Sequence, residues 1–328
     1  MYKKISIIGA GTWGTAIANH LASSSEAQIN LYHYNPKSLK IIEERMEHPN
    51  LSSFKLPSSI NFCYSNKIEG DLCIIAVPVQ KISITLNKFS VSREIPVLVL
   101  SKGVDCKSLE FPIDLIKNRG LNSKKIGVLS GPSHAEQVIS KTPTSVVVAS
   151  QDIKFSESIQ DLFSNNYFRV YINSDIVGVQ IAGAVKNVIS IASGIVAGLG
   201  YKENTVSAMV TRGLHEIKKL GSALGADRET FNGLAGIGDL MVTSFSEHSR
   251  NRRVGINLSK GVDAKKTINQ IKMEAEGVYS VKSIIKLSKK LSVEMPICSN
   301  VYDIIYCNKR PEAAIKELMS RKLKSEEK

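Results

Sequence analysis

The stretch Gly178 to Gly200 reads GVQIAGAVKNVISIASGIVAGLG. Ile181, Ala184, Val185, Val188, Ile189, Ala192, Ile195 and Val196 recur in it at helical spacing, and few positions between them are polar enough to face water. The pattern predicts a helix buried on most sides at the centre of the molecule. Gly178, Gly183, Gly194, Gly198 and Gly200 would weaken it as an isolated helix. They fit a place where other backbone, or a ligand, comes close. Lys186 and Asn187 sit in the middle of this apolar run. A lysine there lies in water with its stem on apolar surface, pairs with a partner, or shifts its pKa. A membrane span is excluded because Lys186 and Asn187 break the run near its centre and no second span follows.

Outward from this stretch, a chain of 328 residues is long enough for two domains with separate cores. The apolar run Ile5 to Ile8 is too short for a signal-peptide core, which predicts a cytoplasmic protein. Cys63, Cys73, Cys106, Cys298 and Cys307 form no CxxC pair and show no metal-ligand spacing, so a reducing compartment and no metal site are expected. The net charge of +13 raises nucleic acid as a partner. Against it, the lysines are scattered and no basic patch is interleaved with aromatic residues. The charge suits small anionic substrates.

Towards the N-terminus, the strand Lys4 to Ile8 runs into Gly9-Ala10-Gly11-Thr12-Trp13-Gly14, then a helical pattern with Ile17, Ala18 and Leu21 on one face, then a strand from Gln28 to Tyr34. Strand, GxGxxG loop, helix and strand in this order predict a dinucleotide site, with the pyrophosphate at the helix N-terminus. The second strand ends in Tyr32-His33-Tyr34-Asn35-Pro36, without a carboxylate to repel a 2′-phosphate and without an arginine to bind one. NADP and NAD both stay open. Further strands are expected at Asp71 to Val77, Ile95 to Leu100 and Lys125 to Leu129, with closing strands at Thr144 to Ala149 and Phe168 to Ile172. Their near-continuous apolar runs belong to a parallel sheet covered on both faces. The loops Ser101-Lys102-Gly103 and Ser130-Gly131-Pro132-Ser133-His134-Ala135 follow strand ends and should face the cofactor crevice.

The strand signal stops near Asn173, and helical patterns follow almost without interruption. The predicted fold is therefore α/β: a Rossmann-type doubly wound sheet over residues 1–174, then an all-α domain over 175–328. In the second half, Ser249-Arg250-Asn251 opens a helix, and arginine beside a helix start seats a phosphate or carboxylate as readily as it makes a capped helix with a surface charge. Glu276 precedes another helix, Val278 to Leu291.

The glycine loop, Ser101-Lys102-Gly103, Gly131-Pro132-Ser133-His134-Ala135, Gly183-Ala184-Val185-Lys186-Asn187, Arg212-Gly213-Leu214, the run Gly233 to Leu240 (GLAGIGDL) and Ser249-Arg250-Asn251 occur in one order over nearly the whole chain. In this the sequence resembles the bacterial NAD(P)-dependent sn-glycerol-3-phosphate dehydrogenase family. The resemblance implies reversible hydride transfer between glycerol 3-phosphate and dihydroxyacetone phosphate, supplying glycerol 3-phosphate for phospholipid synthesis. It implies Lys186 as the general acid/base. It implies substrate contacts from Lys102, Gly131, Ser133, Lys186, Asp239, Ser249, Arg250 and Asn251. Cofactor contacts, to NADP or NAD, would come from Gly9, Gly11, Thr12, Trp13, Gly14, Tyr34, Lys102, Ala135, Arg250 and Glu276. His134 departs from the family's usual Phe, Tyr34 stands where His or Arg is frequent, and Glu274 replaces an apolar residue and is not carried over as a contact. Beside Lys102, a buried Lys186 would have a depressed pKa, with Asp239 opposing the shift and holding the lysine together with Thr243. The expected partner is a small phosphate-bearing substrate, with a homodimer open. Two further readings stay open: a β-hydroxyacid or sugar-acid dehydrogenase of the same plan, and a nucleotide-sensing protein without catalysis.

Overall fold

The computed structural model describes residues 2–51, 53–121, 125–263, 266–267, 275–323 and 325–326. Glu274 lies outside them.

Strand β1 (Lys4–Ile8) leads through the glycine loop into α1 (Thr12–Ser24) and β2 (Gln28–Tyr32). Then come α2 (Pro36–Arg45), β3 (Ile60–Cys63), β4 (Lys67–Ile68), β5 (Leu72–Ile75), α3 (Ile82–Lys88), β6 (Ser90–Val91) and β7 (Val97–Val99). The first half closes with α4 (Pro112–Lys117), β8 (Ile126–Ser130), α5 (Ala135–Ile139), β9 (Thr144–Ser150), α6 (Ile153–Phe163) and β10 (Phe168–Asn173). Eight strands form one sheet in the order β10-β9-β8-β7-β5-β1-β2-β3. Side chains alternate between two apolar layers: Leu72 and Ile74 go to one, Cys73 and Ile75 to the other. That is the consequence of period-two strands covered on both faces.

The sheet departs from the sequence expectation at one pair. β9 runs antiparallel to β8, with Leu129 opposite Val148, whereas the other pairs are parallel. Between β8 and β9 the chain makes only a loop and the five-residue α5, too little for a helical crossover to the other end of the sheet. It turns back at once, so Gly131 to Pro143 stay above the carboxyl ends of the strands. Several strands are also shorter than expected. β2 ends at Tyr32, leaving His33 and Tyr34 in the turn to α2.

From Ile176 on, all elements among the described residues are helical: α7 (Ile176–Gly198), α8 (Glu203–Ala223), α9 (Asp239–Phe245), α10 (Arg250–Ser259), α11 (Glu276–Lys290), α12 (Pro296–Tyr306) and α13 (Pro311–Met319), with short helical turns before α9. α7 is the axis of this half. Asp175 caps it by accepting the Gly178 N–H at 2.8 Å, and 89% of its most apolar window lies inside the protein. By length and composition alone it could cross a membrane; its burial identifies it as a core helix.

The glycines of α7 explain how its neighbours fit. A Cβ on Gly194 would lie 2.0 Å from the Arg252 carbonyl oxygen, and one on Gly255 of α10 would lie 2.1 Å from the Ile191 oxygen. The two helices therefore cross backbone to backbone, which only glycine on both sides permits. Hydroxyls complete the seam: Ser190 Oγ donates to the Thr243 carbonyl at 2.7 Å, and Ser193 Oγ to the Ser244 carbonyl at 2.6 Å. Polar groups of a buried helix are thereby satisfied by α9.

Candidate active site

A cavity of about 630 Å³ opens at the carboxyl ends of the strands, between the sheet and α7. Its walls include Gly11, Thr12 and Trp13 from the glycine loop, Ser101 and Lys102 after β7, Ser133, His134 and Ala135 after β8, and Lys186 and Asn187 from α7. Thr243, Ser249, Arg250, Asn251 and Glu276 complete it from the helical half.

The nucleotide end is shaped by glycines. Gly9 has φ +118°, and a Cβ there would meet the Ala76 oxygen at 2.5 Å; a Cβ on Gly14 would meet the Gly9 oxygen at 1.8 Å. These two residues do not line the cavity; they let the loop turn tightly against β5 and α1. Gly11 faces open space, with nothing within 4 Å of a Cβ built on it. It is also the N-cap of α1 and makes no side-chain cap. Backbone N–H groups at this helix start are left for an anion, and the space above Gly11 admits one. The residues present fit the pyrophosphate of a dinucleotide.

The other end is built from buried charge. Lys186 is 7% exposed, and its Nζ donates to Asp239 Oδ1 and Thr243 Oγ1, each at 2.7 Å. Asp239, 1% exposed, accepts at its other oxygen from Lys102 Nζ at 2.6 Å. Lys102 Nζ also reaches the Gly131 carbonyl at 3.3 Å. Its stem crosses Gly183, one turn before Lys186 on the same face of α7 and 3.4 Å from where a Cβ would stand. Two ammonium groups thus share one carboxylate, and this trio carries one net positive charge.

Burial pushes the Lys186 pKa down to about 8, with Lys102 and Arg250 adding to the effect and Asp239 opposing it. Asp239 is held below the usual carboxylate range: its burial alone would raise it, and the two lysines outweigh that. Burial also brings His134 down to about 4, with Lys186 contributing, so its imidazole is neutral. The buried His134 Nε2 has no hydrogen-bond partner among the described residues, and the ring lies 6.0 Å from that of His248.

A third set of contacts fixes the helix starts. Asn187 Oδ1 accepts from Asn251 Nδ2 at 3.0 Å, and Asn251 Oδ1 accepts from the Gly277 N–H at 3.1 Å. Ser249 caps α10 by accepting the Arg252 N–H at 3.2 Å, and its hydroxyl also bonds Ser190 Oγ at 3.0 Å. Arg250 is thereby presented at the first turn of α10. Glu276 Oε1 accepts the Val79 N–H at 3.2 Å, tying α11 to the sheet.

Most residues singled out from the sequence meet around this one cavity. Asp239 lies behind Lys102 and Lys186 with both oxygens engaged by them, and Gly131 offers its carbonyl to Lys102 and to Ser133 Oγ. Tyr34 is 59% exposed and stands outside the cavity wall, beyond the end of β2. His48 and Asn50, from the segment after α2, do line the cavity. Nothing in their local sequence marks them, and only the fold brings that segment over the glycine loop. His248 and Tyr279 were likewise not singled out, although each is a near neighbour of a motif.

Comparison with known proteins agrees with this geometry. Residues 4–156 match the profile of the NAD-dependent glycerol-3-phosphate dehydrogenase N-terminus, and residues 175–316 that of its C-terminus. The chain is 40% identical to glycerol-3-phosphate dehydrogenase [NAD(P)+] of Clostridium botulinum over 98% of its own length and 99% of that protein's. It is 40% identical to the Bacillus pumilus protein of the same name, over 97% and 94% of the two chains. A solved structure of glycerol-3-phosphate dehydrogenase from Coxiella burnetii superimposes with a TM-score of 0.90 at 32% identity, covering 97% of this chain and 99% of that one. With a glycine loop at one end of its cavity and a lysine-bridged aspartate at the other, this chain belongs to the NAD-dependent glycerol-3-phosphate dehydrogenase family.

Proposed function

We propose that this protein interconverts sn-glycerol 3-phosphate and dihydroxyacetone phosphate with NADP or NAD, supplying glycerol 3-phosphate for phospholipid synthesis. The observation that carries the reading is Lys186: buried, hydrogen-bonded to Asp239, and open on one side to a cavity whose far end is the glycine loop. Dihydronicotinamide, when bound, supplies the hydride that converts the C2 ketone to the alcohol. The Lys186 ammonium donates the proton that the C2 oxygen requires, and in the reverse direction the amine takes it back. With its pKa near 8, Lys186 carries that proton at neutral pH and can also release it. Asp239 keeps the ammonium aimed and makes it a better cation, while Thr243 fixes its second hydrogen bond. Lys102 adds positive potential where negative charge develops on the ketone oxygen.

Ser133, Ser249, Arg250 and Asn251 bind the substrate in this reading, with the Arg250 fork on the phosphate at the positive end of α10. Gly9, Gly11, Thr12, Trp13, Gly14, Tyr34, Ala135 and Glu276 serve the cofactor, together with Lys102 and Arg250. Residues 1–174 form the dinucleotide domain and 175–328 the substrate domain. A cytoplasmic location, in keeping with free cysteines, belongs to the same proposal. So does a homodimer, for which sedimentation velocity is the test. The enzymatic reading is tested by following NADPH and NADH oxidation with dihydroxyacetone phosphate against unphosphorylated dihydroxyacetone. Turnover of the phosphate ester alone is expected. Turnover of a hydroxyacid instead, or of neither triose, would overturn it.

A further inference from the structure

The turn after β2 holds no lysine or arginine between Tyr32 and Pro36; its histidine, His33, is half-buried and burial lowers its pKa. The fold brings a lysine there from elsewhere. Lys88 is the last residue of α3, and its Nζ donates to the Tyr34 carbonyl at 2.5 Å, across 54 positions of sequence. It takes part in no ion pair among the described residues. It lies 5.9 Å from the Phe89 ring, and its charge adds to the burial that lowers the pKa of His33. Ile84, four residues earlier and so on the same face of α3, is 66% exposed, and Tyr34 is 59% exposed. An ammonium with no carboxylate in ion-pair range among the described residues therefore stands at the end of β2, held on the Tyr34 backbone and carried on the face of α3 that also bears Ile84. The start of α2 is adjacent, with Asn35 capping the Lys37 N–H at 3.0 Å, so the helix adds positive potential to the same corner.

In folds of this kind the end of the second strand takes the ribose of the adenosine half, where the 2′-hydroxyl or 2′-phosphate distinguishes the two cofactors. We propose that Lys88 is the specificity residue of this chain for the 2′-phosphate of NADP, acting from α3 rather than from the turn after β2. The proposal rests on the reading of this half as a dinucleotide site. An ammonium has three donors: one keeps the Tyr34 carbonyl, which holds the side chain in place, and two are left for phosphate oxygens. The apolar surfaces of Ile84 and Tyr34 give a purine ring something to cover. This makes the preference for NADPH a property of the assembled sheet, absent from the local sequence after β2.

The test is calorimetric titration of the full-length protein with 2′,5′-ADP and with 5′-AMP, which differ only in the 2′-phosphate, alongside NADPH and NADH kinetics. Wild type should bind 2′,5′-ADP more tightly. Lys88→Met should weaken 2′,5′-ADP about tenfold, the worth of a charge-assisted hydrogen bond, and change 5′-AMP less than twofold. Lys88→Arg should retain most of the preference. KM for NADPH should rise with kcat maintained. Lys37→Met, at the first turn of α2, should leave the preference standing; loss there and not in Lys88→Met overturns the assignment. Equal weakening of both probes by Lys88→Met also overturns it, because the residue would then support the site without reading the phosphate. If wild type binds neither probe nor NADH, the dinucleotide reading falls and takes the proposal with it. If it binds both and Lys88→Met changes nothing, the proposal falls alone.

Discussion

In the proposed function the two ends of the cavity both receive negative charge, and they are made in opposite ways. At the glycine loop the positive potential comes from backbone N–H groups at the start of α1, with no side-chain cap to compete for them. At α7 it comes from two lysines held on one buried carboxylate. Backbone dipoles do not titrate, so the first seat has the same strength at every working pH. The buried Lys186 ammonium does titrate, with its pKa lowered to about 8 by burial, and the second seat therefore couples charge, proton transfer and stability. One cavity can then hold a cofactor constantly while it exchanges protons with a substrate.

The sharpest way to break this contrast is at Asp239. Asp239→Ala leaves the buried Lys186 ammonium and the half-buried Lys102 ammonium without their shared carboxylate and should lower stability by about 3–5 kcal/mol, measured by urea unfolding at pH 7. A loss below about 1 kcal/mol would mean that the cluster is not held by charge. Lys186→Ala comes next. It should lower kcat by at least ~10², the usual worth of a positioned acid/base, while equilibrium binding of NADPH persists. Near wild-type turnover would return Lys186 to a stem-packing lysine. The pH profile sharpens the same point. Because ketone reduction needs the protonated lysine, and burial lowers its pKa to about 8, kcat/KM should be level below pH 7 and fall as pH rises through about 8. A level profile to pH 9 would remove Lys186 as the acid.

Arg250→Ala is expected to have the third effect, a rise in KM for dihydroxyacetone phosphate of about tenfold or more. Activity toward unphosphorylated dihydroxyacetone should change far less, and Arg250→Lys should recover part of the loss. NAD(P)H affinity must be titrated in parallel, since Arg250 is also assigned to the cofactor. Proportional loss with both trioses and intact cofactor binding would disconnect Arg250 from the phosphate. Gly11→Ala should have the smallest effect on the fold. At φ −78° an alanine is unstrained, and its Cβ meets nothing within 4 Å, so stability should move by less than about 0.5 kcal/mol. NADPH affinity should still fall, because the methyl occupies ligand space. Unchanged affinity would show that the pyrophosphate is not seated there.

Legibility in the sequence followed how locally each feature is determined. The glycine loop is short, contiguous and framed by β1 and α1, so its pattern carries its own context. Lys186 stood out because α7 offers no other charge, and Asp239 with Thr243 are the partners expected from the need of a buried lysine for a counter-charge. The antiparallel β9 was not legible, since Thr144–Ser150 is as apolar as its parallel neighbours and direction depends on how little chain precedes it. β3 was missed because the four residues Ile60–Cys63 are too few for a periodic run and include the exposed Asn61. The structural load on Ser249 was hidden as well: its hydroxyl is engaged by Arg252 and Ser190, which no reading of Ser-Arg-Asn by itself reveals.

The contact of α7 with α10 has a mechanical side. The crossing at Gly255 acts as a fulcrum, and Arg250 sits on the arm five residues away, or roughly 7.5 Å along the helix axis. If a methyl group at Gly255 were accommodated by tilting α10 through roughly 10°, the far end of the arm would swing by about 1.3 Å. A displacement of that order at a positioning group is enough to cost a large part of the rate. The glycines at the crossing thus set the aim of Arg250, and the accuracy of the proposed phosphate seat is decided where two bare backbones meet.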